Sequence, residues 1–118
     1  MNRTSRFLQL AREQALLSSM KPQVGAVLTR GSKVIKLGYN KEGKPRFVGS
    51  WTRHAEVVAT INTNAEDAVV YVYRQHGLLL SPLLSKPCTH CMEWLGYIGV
   101  TETIYSIPEY PYFESITL

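Results

Sequence analysis

SKPCTHC, Ser85 to Cys91, holds both cysteines of a 118-residue chain. Two thiols with two residues between them, directly after a proline, suit a metal site, a redox pair or plain packing. The choice dictates which elements must surround them, and so the fold. Cys88 and Cys91 stand at i and i+3, and Pro87 is suited to opening a helix. CTHCMEWLGYIGV reads as that helix, running from Cys88 to near Gly99. Both sulfurs then share one face at its N-terminal end, where the helix dipole favours thiolate over thiol.

Upstream, TSRFLQLAREQALLSS sets Phe7, Leu8, Ala11, Ala15 and Leu16 at helical spacing. With Thr4 or Ser5 as N-cap, it predicts a helix over 5–19 that Pro22 stops. QVGAVLTRGSKVIKLGYN reads as two strands joined at Arg30-Gly31-Ser32, a hairpin. KEGKPRFVGSWT, rich in Gly, Pro and charge, reads as a loop. HAEVVATINT begins a second helix, and AVVYVYRQ is a buried strand by its β-branched and aromatic content. After the third helix TETIYSI is a further strand, and the tail PEYPYFESITL ends in a short β-like run, a candidate edge strand. The order α-β-β-α-β-α-β predicts a two- or three-layer α/β sandwich around one mixed sheet.

Composition bounds the reading. With 45% hydrophobic residues, 118 positions suit one compact domain, residues 1–118, with a core of its own. No apolar run approaches the roughly 20 residues of a membrane span, and charges interrupt MNRTSRFLQLAREQ where a signal peptide would be apolar. No membrane association and a cytoplasmic setting are therefore expected. Thiols stay reduced there, which favours a catalytic or metal-binding pair over a structural disulfide. The net charge of +4 suits anions such as nucleotides but falls short of a dedicated polynucleotide binder.

Two thiolates are half of a tetrahedral zinc shell, and the chain has no third cysteine. Of its three histidines, His76 sits beside Gly77 in a loop and His90 lies between the cysteines, off their shared face. His54 opens the second predicted helix, with Glu56 two residues on. A Cys2His set leaves one position open, the mark of a catalytic site. Either His76 or His90 as a fourth ligand would make the site structural instead. A thioredoxin-like redox motif would leave His54 and Glu56 unexplained and needs a different order of elements.

HAE at 54–56 and PCTHC at 87–91 resemble the paired H-x-E and P-C-x-x-C motifs of the zinc-dependent cytidine and deoxycytidylate deaminase superfamily. GAVL on the first strand and GYN ending the second extend the likeness over about residues 5–107. The resemblance implies a three-layer sandwich, a mixed sheet of about five strands flanked by helices. It implies one zinc ion per chain held by His54, Cys88 and Cys91, with Glu56 as proton carrier and not a ligand. A cytosine base would become uracil, and ammonia would leave. By the same resemblance Ala55 offers its backbone N–H to the reacting oxygen and Lys86 its carbonyl to the exocyclic amine. Asn40 would contact sugar or base, although Asn before a charged loop is also an ordinary turn residue. Val24 would line the base pocket.

The His-Cys-Cys set resembles the branches acting on deoxycytidylate, tRNA adenosine and DNA more than the free-cytidine branch. A nucleoside or nucleotide is thus the expected substrate. Lys41, Lys44, Arg46 and Arg53 are candidate phosphate contacts or a solvated charged loop. Trp51 stacks on a base or packs its loop. The alternative is a nucleic-acid-editing deaminase taking cytosine or adenine from a single strand. QHGLLLSPLL lengthens the approach to Pro87 relative to compact relatives. Small deaminases of this kind imply a homo-oligomer.

Overall fold

The structure, a computed structural model, describes residues 2–42, 52–75 and 83–118. Helix α1, Arg3–Ala15, starts earlier than the sequence predicts because Asn2 caps it, its Oδ1 accepting from Ser5 N at 2.8 Å. Phe7, Ala11 and Ala15 form its buried stripe. It also ends earlier, since Leu16 and Leu17 face outward while Ser18 turns inward to donate to the Asn40 carbonyl at 2.9 Å. Small side chains let the helix lie close on the sheet: a Cβ at Gly25 would stand 1.9 Å from the Ala11 carbonyl oxygen.

Strands β1, Gln23–Arg30, and β2, Lys33–Tyr39, form the predicted hairpin. Gly31, at φ +62°, takes the left-handed conformation that its two-residue turn requires. The segment read as a loop contributes two short strands, β3, Lys41–Glu42, and β4, Thr52–Arg53, which pair with each other. Helix α2 is only Ala55–Thr60, shorter than HAEVVATINT suggests. The Thr60 hydroxyl bonds back to the Glu56 and Val57 carbonyls, and the chain turns extended at Ile61. Strand β5 is Val69–Gln75, helix α3 Thr89–Tyr97, strand β6 Glu102–Ser106 and strand β7 Phe113–Thr117.

The main sheet has the order β2-β1-β5-β6-β7. Only β5 and β6 are parallel, and α3 lies in the connection between them, as a parallel pair requires. The tail is indeed an edge strand, antiparallel to β6. Alternation sorts the side chains. Val27, Tyr71 and Ile104 pack on Phe7 and Ala11 of α1. Ala26, Leu28, Val70 and Val72 face Ala55 and Ala59 of α2 and Leu95 of α3. The result is the expected three-layer sandwich, with α1 on one face of a five-stranded mixed sheet and α2 and α3 on the other. Among the described residues no helix is long and apolar enough to cross a membrane.

Candidate metal centre

The carboxyl end of β5, the adjoining ends of β1 and β2 and the starts of α2 and α3 surround one cavity of about 250 Å³. Such a crevice beyond the ends of parallel strands is where open α/β sheets place ligands. His54 is the N-cap of α2, and Cys88 is the N-cap of α3, its sulfur accepting from Cys91 N at 3.4 Å. α3 thus begins one residue later than expected, with Cys88 flanking the first turn. Trp94 Nε1 donates to Thr60 Oγ1 at 3.0 Å and ties the two helices together.

That juxtaposition gathers one imidazole nitrogen and two sulfurs, all within 4.8 Å of one another. Cys91 Sγ lies 3.2 Å from His54 Nδ1. Tetrahedral zinc with bonds of about 2.0–2.3 Å holds its ligand atoms roughly 3.3–3.8 Å apart, so the three donors fit the ion with small adjustment. Their chemistry fits as well, because one imidazole and two thiols make a borderline-soft N/S donor set of the kind zinc takes, with the Glu56 carboxyl beside them in the cavity wall. Cys91 is buried, whereas His54 and Cys88 are open to the cavity. His90, exposed on α3, is outside the cluster, and His76 lies outside the described residues.

The expected lowering of thiol pKa is not found at Cys91. Burial pushes its thiol up, with the Glu56 carboxylate and Cys88 adding to the rise. Glu56, one residue into α2, is itself buried with its side chain in the cavity wall. Burial raises its carboxyl above the ordinary range, against the opposing pull of its own backbone N–H, the His54 charge and a hydrogen bond with Cys91.

Val24, Asn40, Ala55 and Lys86 all line the same cavity. Asn40 does more than line it. Its Oδ1 accepts from Val24 N and its Nδ2 donates to the Pro22 carbonyl, both at 2.9 Å, which fixes the start of β1 against the end of β2. One N–H and one lone pair of the amide remain for a ligand. Of the candidate phosphate contacts, Lys41 is described, with its ammonium over the Tyr39 ring at 4.7 Å and not in the cavity wall. The backbone of Arg53 pairs with Lys41, and Lys44, Arg46 and Trp51 lie outside the described residues.

Sequence reasoning passed over Met20, Pro22, Arg74 and Ser85, which also line the cavity. Ser85 belongs to a buried hydroxyl pair. Its Oγ donates to the Val72 carbonyl at 3.0 Å and meets Ser106 Oγ at 2.8 Å, pinning the segment before Pro87 to β5 and β6. Nothing in SPLLSKP announces this, because the partner serine lies 21 residues away.

Comparison with known proteins follows the same lines. The profile of the cytidine and deoxycytidylate deaminase zinc-binding region matches residues 1–107. No curated protein matches the chain. Among solved structures, dCMP deaminase from the cyanophage S-TIM5 in apo form shares the fold with a TM-score of 0.67 and 16% identity, covering 88% of this chain and 82% of that one. The same enzyme in complex with dCMP and dUMP gives 0.66 and 17%, covering 87% and 79%. Form 1 of Acinetobacter baumannii RibD gives 0.54 and 22% over 89% of this chain and 27% of that one.

Proposed function

The chain belongs to the cytidine and deoxycytidylate deaminase family, a family of zinc hydrolases, and on that premise we propose that it hydrolyses the exocyclic amine of a cytosine nucleoside or nucleotide. The observation that carries this is the gathering of His54, Cys88 and Cys91 beside buried Glu56 on one cavity wall.

His54 Nδ1 and the sulfurs of Cys88 and Cys91 would hold the ion. When bound, zinc supplies Lewis-acid activation of a water near neutral pH. Glu56 is the proton carrier in this reading. Its carboxylate takes a proton from water and delivers it to the ring nitrogen beside the attacked carbon. A second proton passes to the departing amine, which leaves as ammonia while a carbonyl replaces it. A carboxyl raised by burial suits both halves of that task, since it holds a proton more readily than an exposed one. We assign the Ala55 backbone N–H to the oxygen where negative charge develops and the Lys86 carbonyl to the substrate amine. Val24 walls the base, and the unused N–H of Asn40 faces the sugar.

The test is ammonia release from cytosine and adenine, each as base, nucleoside, nucleotide and oligonucleotide, with zinc content measured on the same sample. Turnover of cytosine nucleosides or nucleotides with about one ion per chain is expected. Release only from an oligonucleotide, or only from adenine, would overturn the reading.

A further inference from the structure

The reaction described above makes no use of Arg74. This residue lies at the C-terminal end of β5, opposite Val24 in the β1–β5 ladder, and lines the same cavity as His54 and Glu56. Its backbone is committed: N donates to Ser106 Oγ at 3.0 Å and the carbonyl accepts from Leu83 N at 2.9 Å. The side chain is not. Nη1 donates to the Leu84 carbonyl at 3.4 Å, a long and therefore weak bond, and Nε is enclosed with no partner. Among the described residues no carboxylate is hydrogen-bonded to this guanidinium.

An unpaired buried N–H costs roughly 1–3 kcal/mol, and more on a charged group. A cation kept in that state beside a substrate cavity is satisfied by a ligand that brings negative oxygen. The uncommitted edge is Nε with Nη2, two parallel N–H groups that match two oxygens of a phosphate. Because Nε is enclosed, the side chain must swing to present that edge, and the 3.4 Å tether to Leu84 is a weak hold against it.

We propose that Arg74 binds the phosphate monoester of the substrate, which makes the substrate a nucleoside monophosphate rather than a free nucleoside. The inference rests on the deaminase reading above. Arg74 was not among the basic residues singled out in the sequence, and unlike Lys41 it is part of the cavity wall.

The experiment compares kcat/KM for deoxycytidylate and deoxycytidine in the zinc-loaded protein and in Arg74→Gln. The wild type should prefer the nucleotide, and the substitution should lower the nucleotide-to-nucleoside ratio by roughly 10- to 100-fold, the worth of a charge-assisted pair. Arg74→Lys, which keeps the charge and loses the fork, should recover part of that ratio. Binding of deoxyuridylate against deoxyuridine, followed by calorimetry, should show the same fall without turnover. An equal loss on both substrates would mean a purely structural role, and an unchanged ratio no role; either overturns the assignment. An oligonucleotide cytosine, flanked by diesters only, that reacts faster than deoxycytidylate would overturn it as well. Should Arg74→Gln not fold, inorganic phosphate must compete with deoxycytidylate on the wild type and do so less well on Arg74→Lys, and failure of either sinks the proposal. Absence of ammonia from every cytosine compound would instead defeat the deaminase reading, with the deoxyuridylate binding still judging Arg74.

Discussion

Sγ of Cys91 lies 3.2 Å from Nδ1 of His54, joining the starts of two helices across 37 positions of sequence. Without a cation this is a thiol against an imidazole, and burial holds the thiol proton in place, helped by Glu56 and Cys88. A dication displaces that proton, so zinc uptake releases protons and strengthens as pH rises. Chelation should lower the thermal midpoint, because an ion at about 100 times its Kd adds about 2.7 kcal/mol to the folded state. His54→Ala and Cys91→Ser should each reduce zinc content well below one per chain, read by mass spectrometry. A midpoint indifferent to zinc would contradict the site.

Glu56 should separate chemistry from metal binding. It lies in the cavity wall but outside the three-donor cluster, so Glu56→Ala should keep both fold and zinc. Turnover should fall by roughly two to four decades, the range for a general acid–base group. Loss of zinc in this variant would make Glu56 a ligand and refute its role as proton carrier.

Asn40 couples the substrate wall to stability. Its two 2.9 Å side-chain bonds to Val24 N and the Pro22 carbonyl add to the backbone bond from Asn40 N to the Val24 carbonyl at 3.0 Å in holding the start of β1 to the end of β2 at the cavity. Asn40→Ala should cost about 2–3 kcal/mol in urea unfolding, since both partners lose a bond in a half-buried setting. Asn40→Asp keeps the acceptor for Val24 N but sets a carboxylate oxygen against the Pro22 carbonyl, and should cost at least as much at neutral pH. Unchanged stability in the alanine variant would restrict Asn40 to a substrate contact.

The metal donors were legible because their chemistry is local. His54 and Glu56 are two apart, Cys88 and Cys91 three apart, and both pairs sit where helix starts can be read. The edge strand FESIT and the hairpin at Gly31 were legible for the same reason. What failed depends on contacts far along the chain. The cap of α1 fell to Asn2 although Thr4 and Ser5 are equally good capping types. Strands β3 and β4 are two residues each, stabilised by each other rather than by any pattern of their own. Arg74 sits one residue before the end of β5, in a run whose composition announces a strand and nothing more. Its place in the cavity wall is fixed by backbone bonds with Leu83 and Ser106 and by the guanidinium bond to Leu84, all from other segments.

The last strand offers a pH test remote from the metal. Tyr105 on β6 donates its hydroxyl to Glu114 Oε2 on β7 at 3.0 Å. Burial raises the phenol above its usual 10, and the bond to Glu114 and that carboxylate's charge raise it further. Below about pH 10 the phenol is protonated in both folded and unfolded chains, and its contribution is fully present. Above that the unfolded chain loses its proton first, so stability falls until the folded phenol also ionises. Tyr105→Phe should therefore be less stable at pH 7, by about 1 kcal/mol for one bond to an exposed partner, yet lose stability less steeply above pH 10. Tyr71 and Tyr73, whose phenols burial also raises, are present in both proteins and cancel in the difference. Urea unfolding of the pair from pH 7 to about 11 reads both effects, and parallel curves through the alkaline range would refute the coupling of Tyr105 to the edge strand.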